Sequence, residues 1–113
     1  MAYHIDKSDS FTVVQLQTDR LDAQVAPSLK SEFVVMNGEG VKNIIVDLNN
    51  ARYCDSSGLS SILIANRLCK GSNGRLIICN LQEPVHKIIS ISQLDSVISI
   101  ASSLDEAKML IQQ

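Results

Sequence analysis

The chain has 113 residues, a formal net charge of −2, 45% hydrophobic residues and 4% aromatic residues, so it is sized for one domain, residues 1–113, with an Ile/Leu/Val core that needs no disulfide or structural metal. Near-neutral charge without a run of one sign excludes the basic stripe of a nucleic-acid binder, and no apolar run approaches the roughly 20 residues that span a bilayer. The start, Met1-Ala2-Tyr3-His4-Ile5-Asp6-Lys7, has neither the basic nor the apolar region of a signal peptide, so a cytoplasmic protein without membrane insertion is expected.

Phe11-Thr12-Val13-Val14-Gln15-Leu16 is rich in β-branched residues and roughly alternating, which predicts a strand. A short extended piece at Tyr3–Ile5 is positioned to pair with it across the polar turn Lys7-Ser8-Asp9-Ser10. Leu21-Asp22-Ala23 leads into a helix from Gln24 to about Met36, with Val25, Leu29, Phe33 and Met36 on one face and Pro27 in the tolerant first turn. Asn37-Gly38-Glu39-Gly40 ends it. Ile44-Ile45-Val46-Asp47-Leu48 is almost continuous hydrophobe, the pattern of a strand covered on both faces. A second long helix is predicted over Ser57–Lys70, with Leu59, Ile62 and Leu63 inward, Ala65 and Cys69 widening the stripe, and Gly71 as the stop.

Arg75-Leu76-Ile77-Ile78-Cys79-Asn80 reads as another buried strand, and Pro84 opens a helix with Val85, Ile88, Ile89 and Ser92 inward. Val97-Ile98-Ser99-Ile100 is a short strand, and Ser103-Leu104-Asp105-Glu106 caps a last helix carrying Ala107, Leu110 and Ile111. Strands alternating with helices predict an α/β fold: a mixed, mostly parallel four- to five-stranded sheet with about four helices and right-handed crossovers.

Most polar residues carry no catalytic pattern. Cys54, Cys69 and Cys79 lack metal-type spacing and sit among apolar neighbours, so small buried thiols are expected. His4 and His86 spell no triad, and Lys70-Gly71-Ser72-Asn73-Gly74 follows a helix where a phosphate loop must precede one. Asp47 is either structural or near a site, and Arg52 is a lone loop cation. No catalytic residue, metal ligand or cofactor site is assigned, and an enzyme is not expected.

Asp55-Ser56-Ser57-Gly58 is the exception. It lies where a strand turns into a helix, the place where ligands and partners collect in an open α/β sheet. Two hydroxyls there stand beside helix N–H groups that have no intrahelical partner, and the positive end of the dipole points the same way. A phosphate on Ser56 or Ser57 is tolerable to the fold, yet it adds about −1.5 to −2 charges beside Asp55. The same residues are also what an ordinary helix start looks like.

The stretch Asn43–Leu59, with Asp55-Ser56-Ser57-Gly58-Leu59 at its end, and then Gly74-Arg-Leu-Ile-Ile-Cys-Asn-Leu81, resembles the STAS domain family of anti-sigma factor antagonists. Arg20-Leu21-Asp22 resembles the family's Gly-x-Leu-Asp segment, and the likeness covers essentially the whole chain. The resemblance implies that Ser56 is the phosphorylated residue. It also implies that Asp22, Asp55, Ser56, Ser57 and Gly58 form the partner surface, although Asp22 read alone is equally a helix N-cap or a solvated carboxylate. The implied cycle has an anti-sigma factor with serine kinase activity as partner, a PP2C-type phosphatase that resets the switch, and a monomer or weak dimer. The alternative is a non-switching scaffold or subunit of a stress-signalling assembly or lipid transporter. The chain departs from the family pattern at Asp19 and Gln93, both usually Gly, and at Cys54, usually a larger hydrophobe.

Overall fold

Val13-Val14 and Ile44-Ile45-Val46 place apolar side chains on both faces of neighbouring strands, and this decides the layering. The structure is a computed structural model that describes residues 2–112. Its elements are β1 (Tyr3–Lys7), β2 (Thr12–Leu16), β3 (Arg20–Leu21), α1 (Ala26–Gly38), β4 (Ile44–Asp47), β5 (Tyr53–Cys54), α2 (Ser56–Gly71), β6 (Leu76–Cys79), α3 (Glu83–Ile91), a 3-10 turn (Leu94–Ser96), β7 (Ser99–Ala101) and α4 (Leu104–Ile111). The main sheet has five strands in the order β1-β2-β4-β6-β7, and β3 and β5 form a separate two-stranded ribbon. The β1–β2 pair is antiparallel, and the other pairs are parallel. The expected mixed, mostly parallel sheet with four helices is what forms.

Alternation along the strands sorts the core into two layers. Val14, Leu16, Ile44, Val46, Leu76 and Ile78 pack with Leu29, Phe33, Ile62, Val85 and Ile89 from α1, α2 and α3. Val13, Ile45, Ile77 and Cys79 pack on the other face with Ala107 and Ile111 of α4. Three helices thus cover one face and one covers the other.

Several boundaries differ from those expected, each for a local reason. α1 begins at Ala26 because the N–H groups of Val25 and Ala26 both donate to the Asp22 carbonyl, which makes Asp22–Val25 a turn. α2 includes Ser56 and Gly71, and the stop lies at Asn73, whose φ of 62° turns the chain where Gly71 was expected to. Leu59 and Leu63 are only half-buried, while Gly58, Ser61, Ile62, Ala65 and Cys69 form the inner face. Burial of Ser61 is tolerated because its hydroxyl donates to the Gly58 carbonyl at 2.7 Å. Ile88 is half-buried and Ser92 is exposed, since α3 ends at Ile91 and Gln93 leaves it in a left-handed conformation with φ 60°. Val97 and Ile98 donate to the Leu94 carbonyl, which completes the 3-10 turn, exposes Val97 and delays β7 to Ser99.

Candidate functional site

The β3–β5 ribbon, too short to be read from periodicity, positions the Asp55–Gly58 cluster. Its register pairs Arg20 with Tyr53 and Leu21 with Cys54. Leu21 and Cys54 are buried, so Arg20 and Tyr53 face outward. The ribbon is anchored where the N–H groups of Arg52 and Tyr53 donate to the Asp19 carbonyl at 2.8 and 3.1 Å. Asp19 is absent from the residues with positive φ, so this turn takes a non-glycine residue without strain. One step past the last pair, the Asp55 N–H donates to the Leu21 carbonyl at 3.3 Å. The register therefore puts Asp22 and Asp55 at neighbouring positions at the exit of the ribbon.

Asp55 is the N-cap of α2. Its Oδ1 accepts from the Gly58 N–H at 3.0 Å, and its carbonyl accepts from the Leu59 N–H at 3.0 Å. Of the four N–H groups without an intrahelical partner, that of Gly58 is taken by Asp55 Oδ1 and that of Asp55 by the Leu21 carbonyl, so those of Ser56 and Ser57 are left without a hydrogen-bond partner among the described residues. Ser56 is exposed at the first helical position, and Ser57 is half-buried behind it. Gly58 is there for space: a Cβ at that residue would sit 2.2 Å from the Leu21 carbonyl oxygen and 2.8 Å from the Leu21 side chain. The α2 N-terminus is thus pressed directly onto the ribbon backbone.

Asp22 is mostly buried at this exit. Its Oδ1 accepts from the Gln24 N–H at 3.0 Å, and its Oδ2 meets Arg20 Nε at 3.3 Å. The Arg20 guanidinium lies 4.2 Å over the Tyr53 ring. Asp22 is therefore a turn-forming side chain next in the ribbon to Asp55, and it is neither the cap of α1, which is Val25, nor a solvated carboxylate. Arg20 and Tyr53 were missed as candidates because a two-residue strand gives no alternation to mark a shared outward face.

The other polar residues fall elsewhere. Asp47 is buried, accepting from the Asn49 N–H at 3.0 Å and from Asn80 Nδ2 at 3.1 Å, which makes it a structural tie between strand ends. Arg52, His4 and His86 are exposed. Cys54, Cys69 and Cys79 are free and buried, and burial pushes their thiols up to about 12, 11 and 12, with the Asp55 charge adding to Cys54 and the Asp47 charge to Cys79. No group of three or more His, Cys, Asp or Glu side chains suited to a metal occurs among the described residues, and no helix there is long and apolar enough to cross a membrane.

Comparison with known proteins agrees on a family. The STAS domain model matches residues 2–107. BtrV of Bordetella bronchiseptica, a candidate anti-sigma factor antagonist, is 26% identical over 107 residues, covering 95% of this chain and 91% of its own. A candidate anti-sigma factor antagonist (tm1081) from Thermotoga maritima has a similar structure, with a TM-score of 0.87 at 22% identity over 98% of this chain and 95% of that one. The anti-sigma factor antagonist SpoIIAA in its unphosphorylated form gives 0.85 at 22% identity over 98% and 96% of the two chains. The Bacillus SpoIIAA in its phosphorylated form gives 0.76 at 21% identity over 96% and 99%.

Proposed function

The chain belongs to the STAS domain family, and from that premise we propose that it is an anti-sigma factor antagonist whose partner binding is switched off by phosphorylation of Ser56. The observation that carries this reading is the exposed Ser56 hydroxyl at the first position of α2, beside two unspent N–H groups and next to a cap already made by Asp55. Two of the similar structures are the unphosphorylated and phosphorylated forms of one antagonist, which supports a fold that accepts both states.

STAS anti-sigma factor antagonists are non-enzymatic, so the chemistry belongs to the partner. An anti-sigma factor with serine kinase activity supplies ATP, metal and base. The Ser56 oxygen attacks the γ-phosphorus, the bond from that phosphorus to the bridging oxygen breaks, ADP leaves, and the kinase base takes the hydroxyl proton. This chain contributes a nucleophile held outward at a rigid helix start. A PP2C-type phosphatase reverses the state by hydrolysis, with water entering and inorganic phosphate leaving.

The phosphate sits favourably at the positive end of α2. Its cost falls on the partner, whose surface fits a neutral serine and now meets about two negative charges beside Asp22 and Asp55. Binding is lost while the fold is kept.

The test is incubation with ATP and the serine-kinase anti-sigma factor from the same genome, followed by mass spectrometry. One phosphate on Ser56 is expected. Ser56→Ala should remain bound to that partner, and Ser56→Glu should bind at least about tenfold more weakly, as a loss of 1.4 kcal/mol or more requires. Phosphate on Ser57 alone overturns the assignment. Retention of Ser56→Glu at full affinity, within large assemblies on gel filtration, would point to a static scaffold instead.

A further inference from the structure

Arg20 is the cation nearest in the ribbon register to the proposed phosphoacceptor, and the reading above gives it no task. It is paired with Tyr53 across the β3–β5 ribbon, and its side chain leans forward along β3 to place Nε 3.3 Å from Asp22 Oδ2. The ribbon is parallel, so this is also the direction in which β5 runs on to Asp55 and Ser56. The Arg20 side chain is 56% exposed and stacks on Tyr53, which is itself 40% exposed. Among the described residues its only ion pair is the one through Nε, and its two terminal nitrogens make no hydrogen bond.

We propose that Arg20 is the internal receptor of the Ser56 phosphate: when Ser56 is phosphorylated, the guanidinium leaves Asp22 and the Tyr53 ring and pairs with the phosphate. The inference rests on the Ser56 reading and names what that site does next. Three pieces of chemistry drive the exchange. An ion pair made through one nitrogen of an arginine that is itself 56% exposed is weak, as is an exposed cation–π contact. A phosphate dianion carries more charge than a carboxylate and offers acceptors spaced for the two-pronged arginine fork. The reach is also adequate. Ser56 lies three residues beyond the Tyr53 that Arg20 stacks on, about 10 Å along an extended chain, and two long side groups leaning toward each other span such a gap.

The consequence is a second component of release. The partner loses a neutral serine, and at the same time the surface loses its stacked Arg20–Tyr53 pair and exposes an unpaired Asp22. Arg20 is therefore a positioning residue of the switch, because it acts through the phosphate and touches no reacting atom.

The experiment uses full chain with phosphoserine incorporated at position 56 during translation, in the wild-type background and with Arg20→Gln or Arg20→Lys. Phosphorus NMR follows the second ionisation of the phosphoserine, which lies near pH 6 when unpaired. With Arg20 present the midpoint should fall below that of the Arg20→Gln protein by about half a unit or more, roughly a threefold change in proton affinity. Arg20→Lys should recover part of the difference. Equal midpoints in the Arg20 and Arg20→Gln proteins overturn the proposal. Melting curves check that the variants fold. Should Arg20→Gln not fold, the Arg20 Nε–H signal decides, because it must shift between the serine and phosphoserine forms of the otherwise unmodified chain. Since the phosphate is installed genetically, a kinase that never modifies Ser56 would sink the functional reading and leave this result standing, and the reverse also holds.

Discussion

Two helices of this molecule start from similar residues and acquire different chemistry. α2 opens on Asp55-Ser56-Ser57-Gly58 and α4 on Ser102-Ser103-Leu104-Asp105-Glu106, each just after a strand residue buried in the core, Cys54 and Ala101. At α4 the polar groups consume one another. Ser103 Oγ accepts from the Glu106 N–H at 3.1 Å, and the Glu106 carboxylate accepts from the Ser102 N–H at 3.0 Å and from the Ser102 hydroxyl at 3.2 Å. Any phosphate there would meet Asp105 and Glu106. At α2 a single carboxylate makes the cap, and the next serine is left outward with its N–H free. Serine beside a helix start is thus common currency, and what distinguishes a candidate switch is which group has already closed the cap.

The largest difference between the two starts is how closely the helix touches other backbone, and Gly58→Ala is the way to break it. The added methyl would lie 2.2 Å from the Leu21 carbonyl oxygen, a backbone atom of the ribbon that cannot swing aside. A loss of about 3 kcal/mol or more is expected by denaturant unfolding, at the upper end for overpacking. Gly71→Ala, at the far end of the same helix with nothing within 4 Å of the new methyl, should instead stabilise by about 0.5 kcal/mol. Similar stabilities for the two variants would mean that α2 is not seated on the ribbon.

Beneath the two starts the chemistry also differs. Cys54 underlies α2, and its thiol is pushed up to about 12 by burial and then by the Asp55 charge, whereas Ala101 beneath α4 does not titrate. Cys69 and Cys79 are pushed up to about 11 and 12. The unfolded chain ionises these thiols near pH 9 and the folded chain only two to three units higher. Their contribution is therefore complete below about pH 9 and is lost as pH rises toward the folded values, because the unfolded state sheds its protons first. Urea midpoints measured from pH 8 to 10.5 should fall for the wild type. They should fall less steeply when all three cysteines are replaced by alanine, whatever that variant's starting stability. Parallel slopes would show that the thiols do not titrate on unfolding.

How much of this could be seen in the sequence follows the same physics. Strands with apolar residues on both faces, at Ile44–Leu48 and Leu76–Cys79, and helix starts at Asp55, Pro84 and Ser103 were legible, because burial and capping each demand particular residue types. The ribbon was not. Arg20–Leu21 and Tyr53–Cys54 are pairs of residues too short for a period, held by their pairing with each other across the chain. Leu59 and Leu63 of α2 do pack against the core as expected, but only half-buried. The deepest positions include Gly58 and Ser61, which hydrophobicity does not mark, and the close approach to the Leu21 backbone requires Gly58 to be small. Gln93 went the other way. As a departure from an expected glycine it put the loop after α3 in question, and it does hold the left-handed conformation, with φ 60°.

The smallest effect tests the comparison most directly, since it concerns the caps themselves. Asp55→Ala and Ser103→Ala each remove the side chain that accepts from the first turn, and each should cost about 1 kcal/mol. Exchanging the cap types should cost only a few tenths of a kcal/mol at α2 in Asp55→Ser, because a hydroxyl also accepts from the Gly58 N–H. Ser103→Asp should do worse than Asp55→Ser, since it adds a third carboxylate beside Asp105 and Glu106, and like charges within one turn repel. Thermal melts of the four variants decide the matter. If Asp55→Ala is neutral while Ser103→Ala is not, α2 is held by the Gly58 seat alone. Asp55 would then be free to serve a partner instead of the fold, and the distinction between a closed cap and an open serine would have to be drawn from the serine alone.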